Sequence, residues 1–225
     1  MQIAIVLFDH LTALDAVGPY EVFSRFPGAE VVFTAERTGV HRTDTGMLGL
    51  HADATFEEVA APDIVFVPGG YGQTFHMGGG PLLEWLRAVD RTCTWTTSAC
   101  TGSLLLAAAG FLRGHRATTH WLALHELADH GATPTSERVV ADGKYVTAAG
   151  VSAGIDLALT LAEQVGGAGL AQMIQLGIEY DPQPPHDAGS PVKAPAAIRA
   201  AVEARRDFIL RGPASAAAAA GRGAR

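Results

Sequence analysis

The chain has 225 residues, 48% of them apolar and 17% charged, so it can bury a real core as one domain or at most two small ones. Its formal net charge of −7 argues against nucleic acid as a partner, because phosphate binding wants clustered Lys and Arg. No apolar run approaches the roughly 18 residues of a membrane-spanning helix, and the opening MQIAIVLFDH lacks the basic region of a secretory signal.

Taken in order, the apolar runs are short and alternate with helical patterns. Ile3 to Phe8 is continuously apolar, as in a strand buried on both faces. The loop HLTALDAVGP and a helical YEVFSRF follow. Residues 30–35 (EVVFTA) and 63–67 (DIVFV) are further strands, the latter running into PGGYG. PLLEWLRAVD places Leu82, Trp85, Leu86 and Val89 on one helical face. Residues 92–98 form a fourth strand leading to Cys100, and 101–110 a helix stopped by Gly110. Residues 120–130 have a helical pattern, and 133–150 read as two strands joined at Asp142-Gly143. SAGIDLALTLAEQVGG is a helix with Ser152 as its N-cap and Gly166-Gly167 at its end. The five prolines of 181–195 require an extended segment, which leads to a last helix over 195–211. The Ala-rich tail over 212–225 is of low complexity and is expected to be disordered.

Strand–helix alternation predicts an α/β fold, a mostly parallel sheet covered on both faces by helices. Ligands in such folds bind beyond the carboxyl ends of the strands. Three features fall there: Asp15 after the first strand, Gly69-Gly70 after the third and Cys100 after the fourth. Cys100 begins a small-residue stretch, SACTGS, that would suit a strand-to-helix turn presenting a nucleophile. The helix N-terminus would lower its pKa, since unpaired N–H groups favour an anion. A buried structural cysteine is an equal reading at this point. Cys93 reads as structural, in mid-strand among apolar neighbours. The two cysteines stand too far apart along one strand for a disulfide, which points to a reducing cytoplasm. Asp15 is either a turn former before Gly18-Pro19 or an acid/base group facing the thiol, in which case the two titrate as a unit. Gly69 and Gly70 either make a turn or offer backbone N–H groups to developing negative charge. His120 is a candidate partner of Cys100, and Tyr71, Phe75 and Met77 are candidate pocket residues; core or loop packing competes for each. No histidine or cysteine spacing suggests a metal.

The blocks IAIVLFDHLTALDAVGPYEVF, DIVFVPGG and SACTGSLLLAAAGFLRGHRATTHW resemble the ThiJ/PfpI superfamily over about residues 2–195. IEYDPQPPHDAGSP resembles its isonitrile-hydrating branch. The resemblance implies a flavodoxin-like catalytic domain over 1–195 with the C-terminal helix, 196–211, following it. It implies a homodimer that needs no cofactor and acts on a small molecule, with Cys100 as nucleophile, Asp15 as acid/base and Thr101 as the neighbour needed for activity. The expected reaction converts isonitriles to N-substituted formamides through a thioimidate. The protease-like branch has His where Thr101 stands. The glyoxalase and deglycase branch usually has Glu where Asp15 stands. Regulators with related domains carry a helix-turn-helix region, for which the 30 residues after 195 are too few and too Ala-rich. Amidase-like or glyoxalase chemistry, small-molecule binding and redox sensing through Cys100 are the other expectations.

Overall fold

The computed structural model describes residues 1–213. Its strands and helices, in chain order, are β1 (Gln2–Val6), α1 (Ala13–Phe23), β2 (Glu30–Ala35), β3 (Gly39–Arg42), β4 (Gly49–Ala52), β5 (Ala54–Thr55), β6 (Ile64–Val67), α2 (Pro81–Val89), β7 (Trp95–Ala99), α3 (Gly102–Ala109), β8 (Arg116–Ala117), α4 (Glu126–Asp129), β9 (Thr133–Pro134), β10 (Val139–Asp142), β11 (Tyr145–Ala148), α5 (Ala153–Gly177) and α6 (Ala196–Glu203). The main sheet runs β10-β11-β7-β6-β1-β2-β5. Only the β10–β11 pair is antiparallel; the other pairs are parallel. Helices cover both faces, which makes this the expected flavodoxin-like α/β architecture. No described helix is long and apolar enough to cross a membrane.

The registers explain the unbroken apolar runs. Ile5 lies between Phe33 of β2 and Phe66 of β6. β1 and β6 are central strands with both faces covered, so every residue from Ile3 to Val6 and from Ile64 to Val67 is buried. α3 is buried almost throughout, with Leu104, Leu105 and Leu106 inside the core. It ends at Gly110, whose φ of 96° is the left-handed cap that glycine takes without strain. β1, β6 and β7 all end on the same edge of the sheet, which is where the first turns of α1 and α3 begin.

Several expectations need correction. The helix read over YEVFSRF starts earlier, at Ala13, and runs through Pro19. A helix with an internal proline forgoes one backbone bond; here the ring is held against Gly154 of α5, where even a Cβ would stand 2.9 Å from Pro19 Cγ. The β3–β4 hairpin and β5 have short, mixed-polarity sequences and were not expected. Residues 120–130 form a 3-10 turn over Trp121–Ala123 and the short α4, not one helix. Ser152 precedes α5, but its side chain makes no capping bond and instead accepts from Arg138. Gly167 does break α5, at φ 79°, yet helix resumes on its far side. Cys93 lies in the turn ahead of β7, not in mid-strand; it is buried, with its Sγ 3.0 Å from Thr96 Oγ1. The last helix is two pieces, α6 and a helical stretch over 206–213. The tail expectation, from residue 214 on, lies outside the described residues.

Leu105 is wholly buried at the centre of α3. Leu105→Ala is expected to cost about 2–5 kcal/mol, seen as a lower urea midpoint with an unchanged m-value.

Candidate active site

Asp15, Gly69, Gly70, Cys100 and Thr101 come together at the carboxyl edge of the sheet. Cys100 follows β7 directly and has φ 54°, a left-handed conformation that is costly for a residue with a Cβ. The surroundings hold it there. Its N–H donates to the carbonyls of Ala148 and Ala149, both at 3.1 Å. Its carbonyl accepts from Thr119 Oγ1 at 2.9 Å and Ser103 Oγ at 3.1 Å. Gly102 passes so close to β6 that a Cβ would lie 2.2 Å from the Val67 carbonyl oxygen. Cys100 therefore stands on a tight strand-to-helix elbow.

Asp15 is in the first turn of α1 and has no exposed surface. Its Oδ2 accepts the Gly69 N–H at 2.9 Å. Its Oδ1 is buried without a hydrogen-bond partner of ordinary geometry; the Cys100 thiol is the side-chain group beside the carboxyl. Burial raises the Asp15 pKa to about 7, against the opposing pull of the Gly69 N–H and the thiol. Burial also pushes the Cys100 thiol well above its ordinary value, and the neighbouring Asp15 carboxylate adds to the push. The Thr101 N–H and hydroxyl pull the other way and lose. The expected lowering of the thiol pKa by the helix N-terminus is thus overturned. Desolvation, with no cation among the described residues acting on the pair, outweighs the end of one short helix. The arrangement is a carboxyl and a thiol that share protons, with the carboxyl giving up its proton first.

The two glycines do not serve as the open N–H donors expected of them. The Gly69 N–H is taken by Asp15, and the Gly70 N–H donates to Thr101 Oγ1 at 3.0 Å. Their missing side chains matter more than free donors would. A Cβ on Gly69 would sit 2.5 Å from Thr101 N and 2.8 Å from Cys100 Cβ, and one on Gly70 would sit 2.5 Å from the His10 carbonyl oxygen. Thr101 Oγ1 in turn donates to the Gly70 carbonyl at 3.3 Å, so Thr101 ties the elbow to the end of β6.

His120 does not pair with Cys100. Its Nδ1 accepts the Leu122 N–H at 3.3 Å, and its ring lies against Gly150. Burial lowers its pKa to about 4, which keeps it neutral near pH 7. Tyr71 stacks on His10, ring centroids 4.7 Å apart, beside the glycine pair. Phe75 belongs to a different cleft of about 470 Å³, over the ends of β1 and β2 with Asp9, Arg37 and His41. Met77 packs against the core. Sequence reasoning missed Thr12, Asp44, Ser103 and Thr119. Thr12 Oγ1 donates to Asp44 Oδ2 at 2.8 Å, a contact across 32 residues that no local pattern announces.

Fold and site together define a flavodoxin-like protein with a cysteine on a strained elbow facing a buried carboxyl. The chain belongs to the DJ-1/PfpI family, whose model matches residues 1–164. It is 43% identical over 199 residues to the isonitrile hydratase of Pseudomonas putida, covering 88% of this chain and 86% of that one. It is 34% identical over 172 residues to the HTH-type transcriptional regulator CdhR of Pseudomonas aeruginosa, but spans only 50% of that regulator. Among solved structures, a ThiJ/PfpI family protein from Pseudomonas syringae superimposes with a TM-score of 0.90 at 35% identity, over 94% of this chain and 88% of that one.

The raised Asp15 pKa has a consequence for stability. A carboxyl that ionises near 7 when folded and near 3.8 when unfolded binds its proton more tightly in the folded state. Its contribution is therefore full below pH 4 and is lost as pH rises to about 7. Asp15→Asn removes that fall and is expected to stabilise the protein above pH 7 relative to wild type, by at most about 4 kcal/mol. Chemical denaturation between pH 4 and 8 checks this; an unchanged slope in the variant would contradict it.

Proposed function

We propose that the chain hydrates isonitriles to N-substituted formamides, with Cys100 as nucleophile and Asp15 as the proton carrier. The observation that carries the proposal is the Asp15 carboxyl buried beside the Cys100 thiol, with no cation among the described residues acting on either. The likeness to the Pseudomonas putida isonitrile hydratase over most of both chains supports the choice of substrate. An isonitrile is uncharged, so it can enter a desolvated site that offers no opposite charge to match. A free thiolate is not needed at rest, because the carboxylate takes the thiol proton as the sulfur reacts.

In the first step Sγ adds to the terminal carbon of R–NC while its proton passes to Asp15. Asp15 then returns that proton to the same carbon. One C–S and one C–H bond form, the S–H bond breaks, and the carbon–nitrogen bond order drops from three to two, leaving the thioimidate S–CH=N–R. In the second step Asp15 takes a proton from water as the oxygen adds to the carbon. Asp15 hands that proton to the nitrogen, giving S–CH(OH)–NH–R. It then takes the remaining hydroxyl proton as C=O forms and the C–S bond breaks, and passes it to sulfur, so the thiol is restored and HC(O)–NH–R leaves. Negative charge develops first on carbon and then on nitrogen, where proton transfer neutralises it. This chemistry agrees with backbone N–H groups that are already engaged. Thr101 keeps the elbow against Gly70 throughout.

The productive pair holds one proton, so kcat/KM is expected to rise as pH increases through about 7 and to fall again where the thiol ionises. Cys100→Ala is expected to reduce formamide release by at least about a thousandfold, and Asp15→Asn to abolish the acid limb together with most of the rate. Release is read by chromatography after incubation with alkyl and aryl isonitriles. No formamide from either type, with methylglyoxal consumed, would move the chain to glyoxalase chemistry.

We also propose that it works as a homodimer. No residue over 181–201 is buried, and α6 buries none of its residues. Leu176, Val192 and Ile198 are 79%, 90% and 56% exposed. Asp181 and Asp187 are balanced by Lys193 and Arg199, so this arm can meet a second acidic chain without net repulsion. Light scattering is expected to give twice the 23.4 kDa chain mass. Val192→Asp with Leu176→Asp should give the monomer; a monomeric wild type would overturn the proposal.

A further inference from the structure

The loop between β3 and β4 reaches back to the start of α1. Leu11 bridges to Thr43, and the Asp44 N–H donates to the Leu11 carbonyl at 2.8 Å. This brings the half-buried Asp44 carboxylate to Thr12, the residue that precedes α1, whose hydroxyl donates to Asp44 Oδ2 at 2.8 Å. Thr12 is a junction. Its N–H donates to the Gly69 carbonyl at 2.9 Å, and its carbonyl accepts the Asp15 N–H at 3.1 Å. Gly69 returns its own N–H to Asp15 Oδ2. Asp44, Thr12, Gly69 and Asp15 are thereby linked in one hydrogen-bonded circuit that ends on the carboxyl facing Cys100.

We propose that Asp44 is a positioning residue for the Asp15–Cys100 pair: it anchors Thr12 at the head of α1 and places a second negative charge beside the buried carboxyl. The inference rests on the reading of Asp15 as a proton carrier. Among the described residues, the groups acting on the Asp15 carboxyl are the Gly69 N–H, the Cys100 thiol and the Asp44 carboxylate, with no Lys, Arg or His. Asp44 acts on Asp15 in the direction that keeps the proton on, and on the Tyr71 phenol in the same sense. A like charge near a carboxyl has this effect. Asp44 thus has two separable roles, one through its hydrogen bond and one through its charge.

Substitutions separate them. Asp44→Asn keeps an acceptor for Thr12 and removes the charge. It should shift the acid limb of kcat/KM to lower pH by about half a unit. Thr12→Val removes the hydrogen bond and leaves the charge. It should lower kcat by about tenfold, a loss typical of a slightly misplaced group, without moving the limb. An infrared titration of the protonated Asp15 carboxyl, assigned by its absence in Asp15→Asn, reads the same charge effect without turnover. The band should be lost at lower pH in Asp44→Asn than in wild type. If the wild type has no such band at pH 6, the proton-carrier reading fails and this inference with it. A band present in wild type but titrating identically in Asp44→Asn, or a limb that moves in Thr12→Val, overturns the role of Asp44 alone.

Discussion

A carboxyl group with no surface exposed to water must be answered from inside the fold, and Asp15 is answered by one backbone N–H and a thiol. The bond from Gly69 N to Asp15 Oδ2, 2.9 Å long across 54 residues, fastens the start of α1 to the end of β6. From there Gly70 and Thr101 exchange hydrogen bonds and fasten the end of β6 to the elbow after β7. Three strand ends are drawn together by polar contacts that would be expensive to leave unmade. The strain of Cys100 at φ 54° is held in place by its own backbone bonds to Ala148, Ala149, Thr119 and Ser103.

Electrostatics then sets what the site can do. A helix N-terminus alone would favour the Cys100 thiolate, but burial, with the Asp15 carboxylate beside it, reverses that outcome. The proton stays within the pair, and the lower of its two ionisations falls near neutrality through Asp15. In the proposed reaction a reactive anion is created only when an electrophile is in place. Such a site suits an uncharged substrate that must receive a proton as well as a nucleophile.

Much of the fold was legible in the sequence, because central parallel strands write themselves as unbroken apolar runs. EVVFTA over residues 30–35 matches β2, and Asp142-Gly143 turns the β10–β11 hairpin as read. The β3–β4 hairpin escaped because a short, peripheral two-stranded pair needs no apolar run. The first half of α1 escaped because Gly18-Pro19 looks like a helix breaker; tight packing of Pro19 on Gly154 overrides that local signal. The meeting of Asp15, Gly69, Gly70 and Cys100 was legible as three strand ends on one edge. The use of the glycine N–H groups was not, since whether a donor is free depends on contacts tens of residues away. For the same reason His120 looked like a partner of Cys100, and Asp44 looked like nothing at all.

The central claim is that Cys100, activated by its neighbour only when substrate arrives, forms a covalent bond to the substrate carbon. Intact-protein mass spectrometry, with the reaction quenched in acid during turnover of a simple isonitrile, tests it most directly. The account predicts a species heavier by one isonitrile, mapped by peptide digestion to Cys100 and gone once substrate is exhausted. Formamide production with Cys100 unmodified at every time point would contradict it.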